Sequence, residues 1–329
     1  MQTQAIVFTS PGQVQLQDVR MPAPGPDDVL IRTTYSTVSA GTEGWILQNL
    51  FTWHPTPYPC VPGYQRVGVI EAIGRDVQGW CVGDHVMATV SSWPGSVQPN
   101  SGAHIAHANT PAREVYRLPN GIHELDASGA VVAQVGYNAA QRASFEPGDW
   151  VVVYGDGLIG QCAAQAARAR GARTILAGHR PERLALAAQW SADAVVNTRT
   201  DDVAARLHDY IGFASVAAVL DSVQSVDAQH QYMPLLHHGH GQIVYCGFTP
   251  GTTWADMAIL QQKELTTHFV SGWNRTRIEA TLQLMAEGKL NLRPLITQLV
   301  PFTAAPEIYN RLLQKSASHL GVTFKWTDD

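Results

Sequence analysis

Basic charge and long apolar runs are scarce in this sequence, and each scarcity excludes a class of protein. The 22 Lys and Arg residues are outnumbered by 27 Asp and Glu residues, and the net charge of −5 supplies no field to hold a polyphosphate backbone. No segment approaches the ~18 uninterrupted apolar residues of a membrane span, and the N-terminus has no basic stretch followed by an apolar run. We expect a cytoplasmic protein with neither a nucleic-acid nor a membrane partner.

Cysteine is also rare. The four cysteines form no CxxC pair and no disulfide-like spacing, which is typical of a reducing compartment. Charged residues make up only 15% of the 329 residues and hydrophobic residues 45%, so the chain can bury a sizeable core. This length suits two domains better than one small module.

The pattern of apolar, turn and helix-forming residues changes near Gly148. Before about residue 120, short runs such as QAIVF and RVGVIEAIG alternate with turn residues, which predicts a β-rich domain. After Gly148, short strands alternate with Ala-rich helical stretches, a pattern typical of βαβ units around a parallel sheet. The predicted strands are 150–154, 173–178, 193–197, 216–221 and 242–247, and helices are predicted to begin near Leu158, Pro181, Asp202 and Val226.

The end of the chain is too long for one more strand of that sheet. Helices are predicted over 275–288 and 305–315, followed by a strand in HLGVTFKW. We expect this segment to pack back on the first domain. The sequence thus predicts an α/β protein with a doubly wound parallel sheet. The predicted domains are a first domain of residues 1–122 and 270–329 and a second domain of residues 123–269, which contains the parallel sheet.

The most specific local motif is the glycine pattern in WVVVYGDGLIGQ. Gly155, Gly157 and Gly160 follow a predicted strand and precede a predicted helix, the context in which GxGxxG binds a dinucleotide. Gly155 allows a tight turn, Gly157 the close approach of a pyrophosphate, and Gly160 the packing of the helix on the strand. The alternative is a glycine-rich turn that arises by chance.

The end of the next strand favours NADP(H) over NAD(H). An NAD site normally places Asp or Glu there, about 20 residues after the motif. Here Gly178 is followed by His179 and Arg180, and Arg183 lies one turn further. A guanidinium can hold a 2′-phosphate through charge-assisted hydrogen bonds, although both arginines could instead only solubilise a surface loop. The remaining predicted contacts with the cofactor are Leu158, Ile159, Ser222, Cys246, Gly247 and Phe248.

Six sequence motifs occur along the chain in an order that is also found in a known superfamily. They are VSAGTE (38–43), VPGYQRVGVIEAIG (61–74), VGDHVMA (82–88), GAHIAHANTPAREVYRLP (102–119), EPGDWVVVYGDGLIG (146–160) and IVYCGF (243–248). Together they resemble the medium-chain dehydrogenase/reductase superfamily, the fold of zinc alcohol dehydrogenases and quinone reductases. This resemblance spans nearly the whole chain and implies a GroES-like β-rich catalytic domain, a Rossmann cofactor domain and a homodimer.

The resemblance stops at the zinc ligands. The family's ligand-motif positions for Cys, His and Glu fall here on Ala40, Tyr64 and Gln65, and a later ligand position falls near Ala133 or Gln134. None of these side chains makes a zinc site, and the segment 91–112 contains no Cys for a structural zinc. We therefore expect a metal-free enzyme, in which another donor stabilises a developing alkoxide.

Tyr64 is the predicted donor, because its phenol can protonate a carbonyl oxygen or an enolate carbon. The resemblance makes Thr42 the hydroxyl that relays protons, with Glu43 and Gln65 beside these residues. His104 is a further candidate acid. The alternatives are that Tyr64 fills the vacated metal cavity, that Gln65 bonds to backbone, and that His104 caps a strand end.

The loop 45–62 carries two Trp, a Phe and a Tyr, which suggests a sizeable, flat or apolar substrate. The same aromatics could equally form the loop's own small core or a subunit contact.

We predict a zinc-independent oxidoreductase that transfers hydride between NADP(H) and an alcohol/carbonyl pair on a medium-sized, partly apolar molecule. Three alternatives stay open. One is reduction of an activated C=C bond, and one is a non-catalytic NADPH-binding protein. The third is oxidation of a hydroxyethyl group. It is suggested by the metal-free branch of the superfamily that includes bacteriochlorophyllide a dehydrogenase, which this chain resembles in SAGTE, PGYxxVG and LGVTFKW.

Overall fold

The computed structural model describes residues 1–212, 216–252, 254–314 and 319–327. Two compact units are present: Met1–Val131, Ile278–Ala286 and Ile296–Asp329 form the first, and Val132–Arg277 and Glu287–Leu295 form the second. Among the described residues, no helix is long and apolar enough to cross a bilayer.

The strands are β1 (Gln2–Ser10), β2 (Gln13–Arg20), β3 (Asp28–Thr37), β4 (Cys60–Val61), β5 (Arg66–Ile73), β6 (His85–Ala88), β7 (Gln98–Pro99), β8 (His107–Pro111), β9 (Val115–Arg117), β10 (Trp150–Tyr154), β11 (Arg173–Gly178), β12 (Ala194–Asn197), β13 (Val216–Asp221), β14 (Gln242–Tyr245), β15 (Thr266–Phe269), β16 (Ile296–Pro301) and β17 (Gly321–Lys325). The α-helices are α1 (Ala40–Leu47), α2 (Glu124–Ala127), α3 (Ala130–Arg142), α4 (Leu158–Ala169), α5 (Pro181–Leu186), α6 (Val203–Ile211), α7 (Val226–Tyr232), α8 (Met257–Gln262), α9 (Arg275–Ala286) and α10 (Ala305–Leu313).

The first unit is mainly antiparallel sheet. One sheet has the order β2-β1-β4-β7, and the other has the order β16-β17-β3-β5-β6-β9, with β8 also paired to β3. Strand β3 buries alternate residues, Val29, Ile31 and Thr33, as a strand with one face on a core should. Because β17 pairs with β3, this last strand belongs to the first unit, whereas residues 270–277 and 287–295 lie in the second unit.

Helix α10 closes one side of the core of the first unit. Its buried residues Ile308 and Tyr309 pack with Phe8 and Phe324, and the Tyr309 ring meets the Phe8 ring edge-on at 5.0 Å between centroids. The predicted helix over 305–315 ends at Leu313, and its last predicted residue lies outside the described ranges. This packing carries the Tyr309 hydroxyl into the interior.

The second unit contains a six-stranded parallel sheet in the order β12-β11-β10-β13-β14-β15. All five residues of β10 are buried, because apolar clusters cover both faces of the sheet and such strands are apolar throughout. The connection changes direction between β10 and β13. In sheets of this kind, ligands bind at the carboxyl ends of the strands at that point.

Candidate active site

The glycine motif forms a tight turn between β10 and α4 in the second unit. Gly155 has a φ of +115°, and a Cβ atom there would lie 2.2 Å from the Ser222 Oγ. A Cβ on Gly160 would lie 2.0 Å from the Gly155 carbonyl oxygen, so α4 packs directly on the turn. Gly157 is the N-cap of α4, and the space around its Cα is open. The turn therefore fits a pyrophosphate approaching the N-terminus of α4.

The other predicted cofactor residues lie around the same edge of the sheet. Ser222 follows β13 and donates its hydroxyl to the Tyr154 carbonyl oxygen at 2.8 Å. Cys246 and Gly247 follow β14, where a Cβ on Gly247 would lie 2.5 Å from the Gln224 Oε1. Within α4, Leu158 is buried and Ile159 is half-buried, and Phe248 is exposed beyond β14.

Sequence reasoning missed one functional candidate in this turn, Asp156. Its Oδ2 accepts the backbone N–H groups of His179 and Arg180, each at 2.9 Å. Its Oδ1 lies 3.3 Å from the Arg180 Nη1 and 3.4 Å from the Arg183 Nη1. The end of β11 therefore does meet a carboxylate, which comes from the glycine turn rather than from the strand itself.

The sequence contains one signal that could have revealed this carboxylate. Gly178 ends β11, and a Cβ atom there would lie 2.6 Å from the Asp156 Cβ.

Burial alone would raise the pKa of Asp156, but the two N–H groups and the two guanidinium groups outweigh burial and lower it. Asp156 is therefore ionised at neutral pH, and the two arginines leave the cluster net positive.

In the first unit, Tyr64 meets the start of α1. Burial raises the pKa of Tyr64 to about 12, the nearby Glu43 charge adds to the rise, and hydrogen bonds with Ser39 and Thr42 oppose it. The phenol is therefore protonated at neutral pH, and Tyr64 as a whole residue is only partly exposed. This arrangement brings together three predicted residues, Tyr64, Thr42 and Glu43.

Glu43 is the centre of a buried network. Its Oε1 accepts the Ser39 N–H at 2.8 Å, and its Oε2 accepts hydrogen bonds from the His104 Nε2 at 2.9 Å and from the Tyr309 hydroxyl. Burial would raise the pKa of Glu43, but His104, Tyr309 and the Ser39 N–H together lower it. Glu43 and His104 are completely buried, so they act through the groups that they hold.

The network continues beyond His104. The Trp326 Nε1 donates to the Ser36 Oγ at 2.8 Å, and the Ser36 Oγ lies 2.8 Å from the His104 Nδ1. Ser36 therefore links the Trp326 indole to the His104 imidazole. A Cβ on Gly63 would lie 2.6 Å from the His104 Cδ2. The imidazole therefore packs on the residue that precedes Tyr64.

Gln65 is engaged with backbone on both sides. Its Nε2 donates to the Thr37 carbonyl oxygen at 3.1 Å, and its Oε1 accepts the Val131 N–H at 3.0 Å. The side chain is completely buried. This matches the alternative that the sequence left open for Gln65, a link between backbone segments.

The donor set does not fit catalytic zinc. Ala40 offers no ligand atom, and a phenol and an amide replace the imidazole and carboxylate at positions 64 and 65. Across the described residues, no three His, Cys, Asp or Glu side chains group together in a way that could hold a metal ion.

The aromatic residues of the loop after α1 pack on one another. The Trp45 and Phe51 rings meet edge-on at 5.8 Å, and the Phe51 and Trp53 rings lie 5.2 Å apart. Trp45 also approaches Gly41, where an added Cβ would lie 3.6 Å from its ring. Trp53 is 55% exposed. The loop thus has a small core of its own, and Trp53 is the exposed ring of that core.

Comparison with known proteins agrees with this architecture. Residues 25–120 match the alcohol dehydrogenase GroES-like domain, and residues 159–287 match the zinc-binding dehydrogenase domain. An alcohol dehydrogenase of Cupriavidus necator is 27% identical over 89% of this chain and 90% of its own length. The 2-desacetyl-2-hydroxyethyl bacteriochlorophyllide A dehydrogenase of Rhodobacter capsulatus is 27% identical over 100% of this chain and 99% of its own.

A solved structure shows the same fold. A Sinorhizobium meliloti protein described as a zinc-binding dehydrogenase and bound to NADP superposes with a TM-score of 0.85 over 99% of this chain and 100% of its own, at 19% identity. The fold class predicted from the sequence, a GroES-like domain with a Rossmann domain, is confirmed. The chain belongs to the medium-chain dehydrogenase/reductase superfamily, among its zinc-type alcohol dehydrogenase-like oxidoreductases.

Proposed function

We propose that this protein is a zinc-independent, NADP(H)-dependent oxidoreductase that transfers hydride between the nicotinamide and an alcohol/carbonyl pair on a medium-sized, partly apolar molecule. The observation that carries the proposal is the protonated Tyr64 phenol, hydrogen-bonded with Ser39 and Thr42, at a position where the superfamily's zinc enzymes bind metal. A protonated phenol can stabilise a developing alkoxide, which is the task that zinc performs elsewhere.

The second unit offers the residues that would hold the cofactor. The turn at Gly155, Gly157 and Gly160 would receive its pyrophosphate, and Arg180 and Arg183 would receive its 2′-phosphate. When bound, the cofactor supplies the hydride. The chain's own contribution is to bind and orient it.

The first unit offers the proton. Tyr64 would donate its Oη hydrogen to the substrate oxygen during reduction, and the Thr42 and Ser39 hydroxyls would stabilise the phenolate that remains. Glu43 and His104 do not reach the substrate in this proposal. They fix the start of α1, and with it the positions of Ser39 and Thr42.

A second candidate function is the oxidation of a hydroxyethyl group on a flat macrocycle. Two observations favour it: the full-length similarity to the Rhodobacter capsulatus enzyme and the aromatic cluster of Trp45, Phe51 and Trp53, of which Trp53 is exposed. Both activities use the same chemistry at the same residues and differ only in the size of the substrate.

We also propose that residues 1–122 and 270–329 act as the catalytic domain, that residues 123–269 act as the cofactor domain, and that the protein is a cytoplasmic homodimer. The edge strand β15 supports the dimer, because Phe269 on this strand is 58% exposed. Light scattering at several protein concentrations tests this state, and a mass of one chain throughout would contradict it.

One experiment tests the activity directly. The protein is incubated with NADPH deuterated at the transferable position and with an extract of its host, and mass spectrometry identifies the metabolite that gains the label. Deuterium on a carbinol carbon supports the proposal, whereas deuterium on the saturated carbon β to a retained carbonyl supports C=C reduction. An active-site variant, Tyr64→Phe, serves as the control, and a protein that labels nothing supports a non-catalytic role.

A further inference from the structure

Asp156 is a buried carboxylate in a turn that is expected to bind a phosphorylated, negatively charged ligand. Its side chain is only 3% exposed, and it contacts both arginines of the predicted phosphate site. A carboxylate in this position would ordinarily oppose a phosphate by like-charge repulsion. Its contacts give it a different role.

We propose that Asp156 is a specificity-determining positioning residue, which assembles Arg180 and Arg183 into a subsite for a phosphate monoester, the 2′-phosphate of the adenosine half of the cofactor. This inference rests on the proposed use of NADP(H). Asp156 itself touches the arginines and the loop backbone rather than the reacting atoms.

The backbone contacts support the positioning role. One oxygen of Asp156 accepts the N–H groups of His179 and Arg180, so the residue fixes the chain where it leaves β11. The close approach of Asp156 to Gly178 depends on the absence of a side chain on that residue. The loop that carries Arg180 is thus held at two successive peptide groups.

A second set of hydrogen bonds holds the backbone of Arg183. The Gln161 Nε2 donates to the Arg183 carbonyl oxygen at 3.1 Å and to the Asp156 carbonyl oxygen at 3.3 Å. The Gln161 Oε1 in turn accepts the Ser191 hydroxyl at 2.8 Å. The turn, the start of α5 and the segment that follows α5 therefore form one hydrogen-bonded assembly around the two arginines.

The charges explain why the carboxylate favours the ligand. Two neighbouring guanidinium groups repel each other, and Arg180 contributes to the lowered pKa of Arg183, after burial. Asp156 offsets that repulsion while engaging a single nitrogen, Nη1, on each group. The cluster keeps a net positive charge, and the Arg180 side chain is 36% exposed. An incoming phosphate therefore meets cations that are already in place, which reduces the ordering cost of binding.

Calorimetric titration of the full-length protein with two probes tests this inference without turnover. The probes are adenosine 2′,5′-bisphosphate and adenosine 5′-monophosphate, which differ only in the 2′-phosphate. The isosteric change Asp156→Asn should weaken the bisphosphate about tenfold, equivalent to ~1.4 kcal/mol, and the monophosphate less than twofold. In an Arg180→Ala background the same change should have a smaller effect, because the two residues act through one contact.

Asp193→Asn is the matched control. Asp193 also accepts a backbone N–H, that of Thr174 at 2.7 Å, and also pairs with an arginine, Arg168, but it lies at the opposite end of β11. This variant should bind both probes as the wild type does. If Asp156→Asn does not fold, Asp156→Ser replaces it with the same expectation.

Each other outcome overturns a specific claim. Tighter binding of the bisphosphate by Asp156→Asn would mean that the carboxylate only repels the phosphate. Equal weakening of both probes would mean that Asp156 supports the turn in general. A wild-type protein that does not distinguish the two probes would instead contradict the proposed NADP(H) dependence.

Discussion

Replacing Glu43 with Gln should strongly destabilise the first unit. The carboxylate accepts hydrogen bonds from the Ser39 N–H, His104 and Tyr309, whereas an amide has only one accepting oxygen. In either orientation the amide leaves at least one buried donor without an acceptor, which costs about 1–3 kcal/mol. It also removes a charge from the bonds that remain. We expect a total loss of about 3 kcal/mol of unfolding free energy at pH 7.

The pH dependence of this loss has a definite sign. The pKa of Glu43 lies below its ordinary value of 4.5 in the folded chain, so the folded state binds the Glu43 proton less readily than the unfolded state. The stability from this group is present in full above pH ~5 and is lost as pH falls through the folded pKa. The difference between wild type and Glu43→Gln should therefore shrink as the pH is lowered below about 5.

Urea unfolding followed by tryptophan fluorescence, repeated from pH 7 to pH 3, measures both effects. Glu307→Gln is the control, because Glu307 lies on α10 near Tyr309 but is exposed, and its pair with Arg311 is at the surface. That change should cost less than about 0.5 kcal/mol. A Glu43→Gln variant as stable as the control, or a difference that does not change with pH, would refute the role of the buried network.

Three further predictions concern the reaction and the cofactor. Tyr64→Phe should lower kcat about 10²–10⁴-fold while leaving the unfolding midpoint and NADPH affinity almost unchanged; full activity in steady-state assays would assign the proton donor elsewhere, with Thr42 next. Arg180→Ala should weaken NADPH by about 1–3 kcal/mol in fluorescence titrations and leave NADH nearly unaffected, and equal weakening of both would reduce Arg180 to a general role. The purified protein should contain no stoichiometric zinc by elemental analysis and should keep its activity in chelator, because Ala40 cannot replace a thiolate ligand; one zinc per chain would contradict the proposed mechanism.

The parallel sheet was predictable in detail because its strands are buried on both faces. The predicted bounds of β10, β11 and β13 agree with the structure to the residue, since an apolar run between turn residues has sharp ends. The other two predicted strands differ by one or two residues: β12 begins at Ala194 and β14 ends at Tyr245, where tertiary hydrogen bonding rather than residue type decides the end.

Other elements carried too little local signal. Helix α1 contains Gly41 and Gly44 in eight residues, which lowers its intrinsic helical propensity, and it forms because Glu43 fixes its first turn. Strand β15 has four residues at the edge of the sheet and an exposed Phe269, so its burial pattern does not alternate. Local pattern predicts such elements poorly, because packing at a distance stabilises them.

Some residues of the candidate site were also predictable from the sequence, and others were not. The glycine turn and the two arginines were predicted from residue type and spacing, whereas Tyr64 and Thr42 were predicted from the family resemblance. The partners of Glu43 could not be found by spacing, because His104 and Tyr309 lie 61 and 266 residues away along the chain. Hydrogen bonds of this range depend on which strands and helices meet, and sequence periodicity does not contain that information.

Glu43 and Asp156 have the same kind of buried, hydrogen-bonded environment, which leads to a final prediction. Each is a buried carboxylate that accepts backbone N–H groups and further donors, with a pKa lowered by those contacts. Each has its partners inside its own compact unit. Glu43→Gln should therefore leave the titration of adenosine 2′,5′-bisphosphate unchanged, and the pH-dependent loss of stability caused by Glu43→Gln should be the same in the wild type and in an Asp156→Asn background. If either variant altered the other's property, the two carboxylates would be coupled, and the assignment of separate roles in proton donation and cofactor recognition would have to be abandoned.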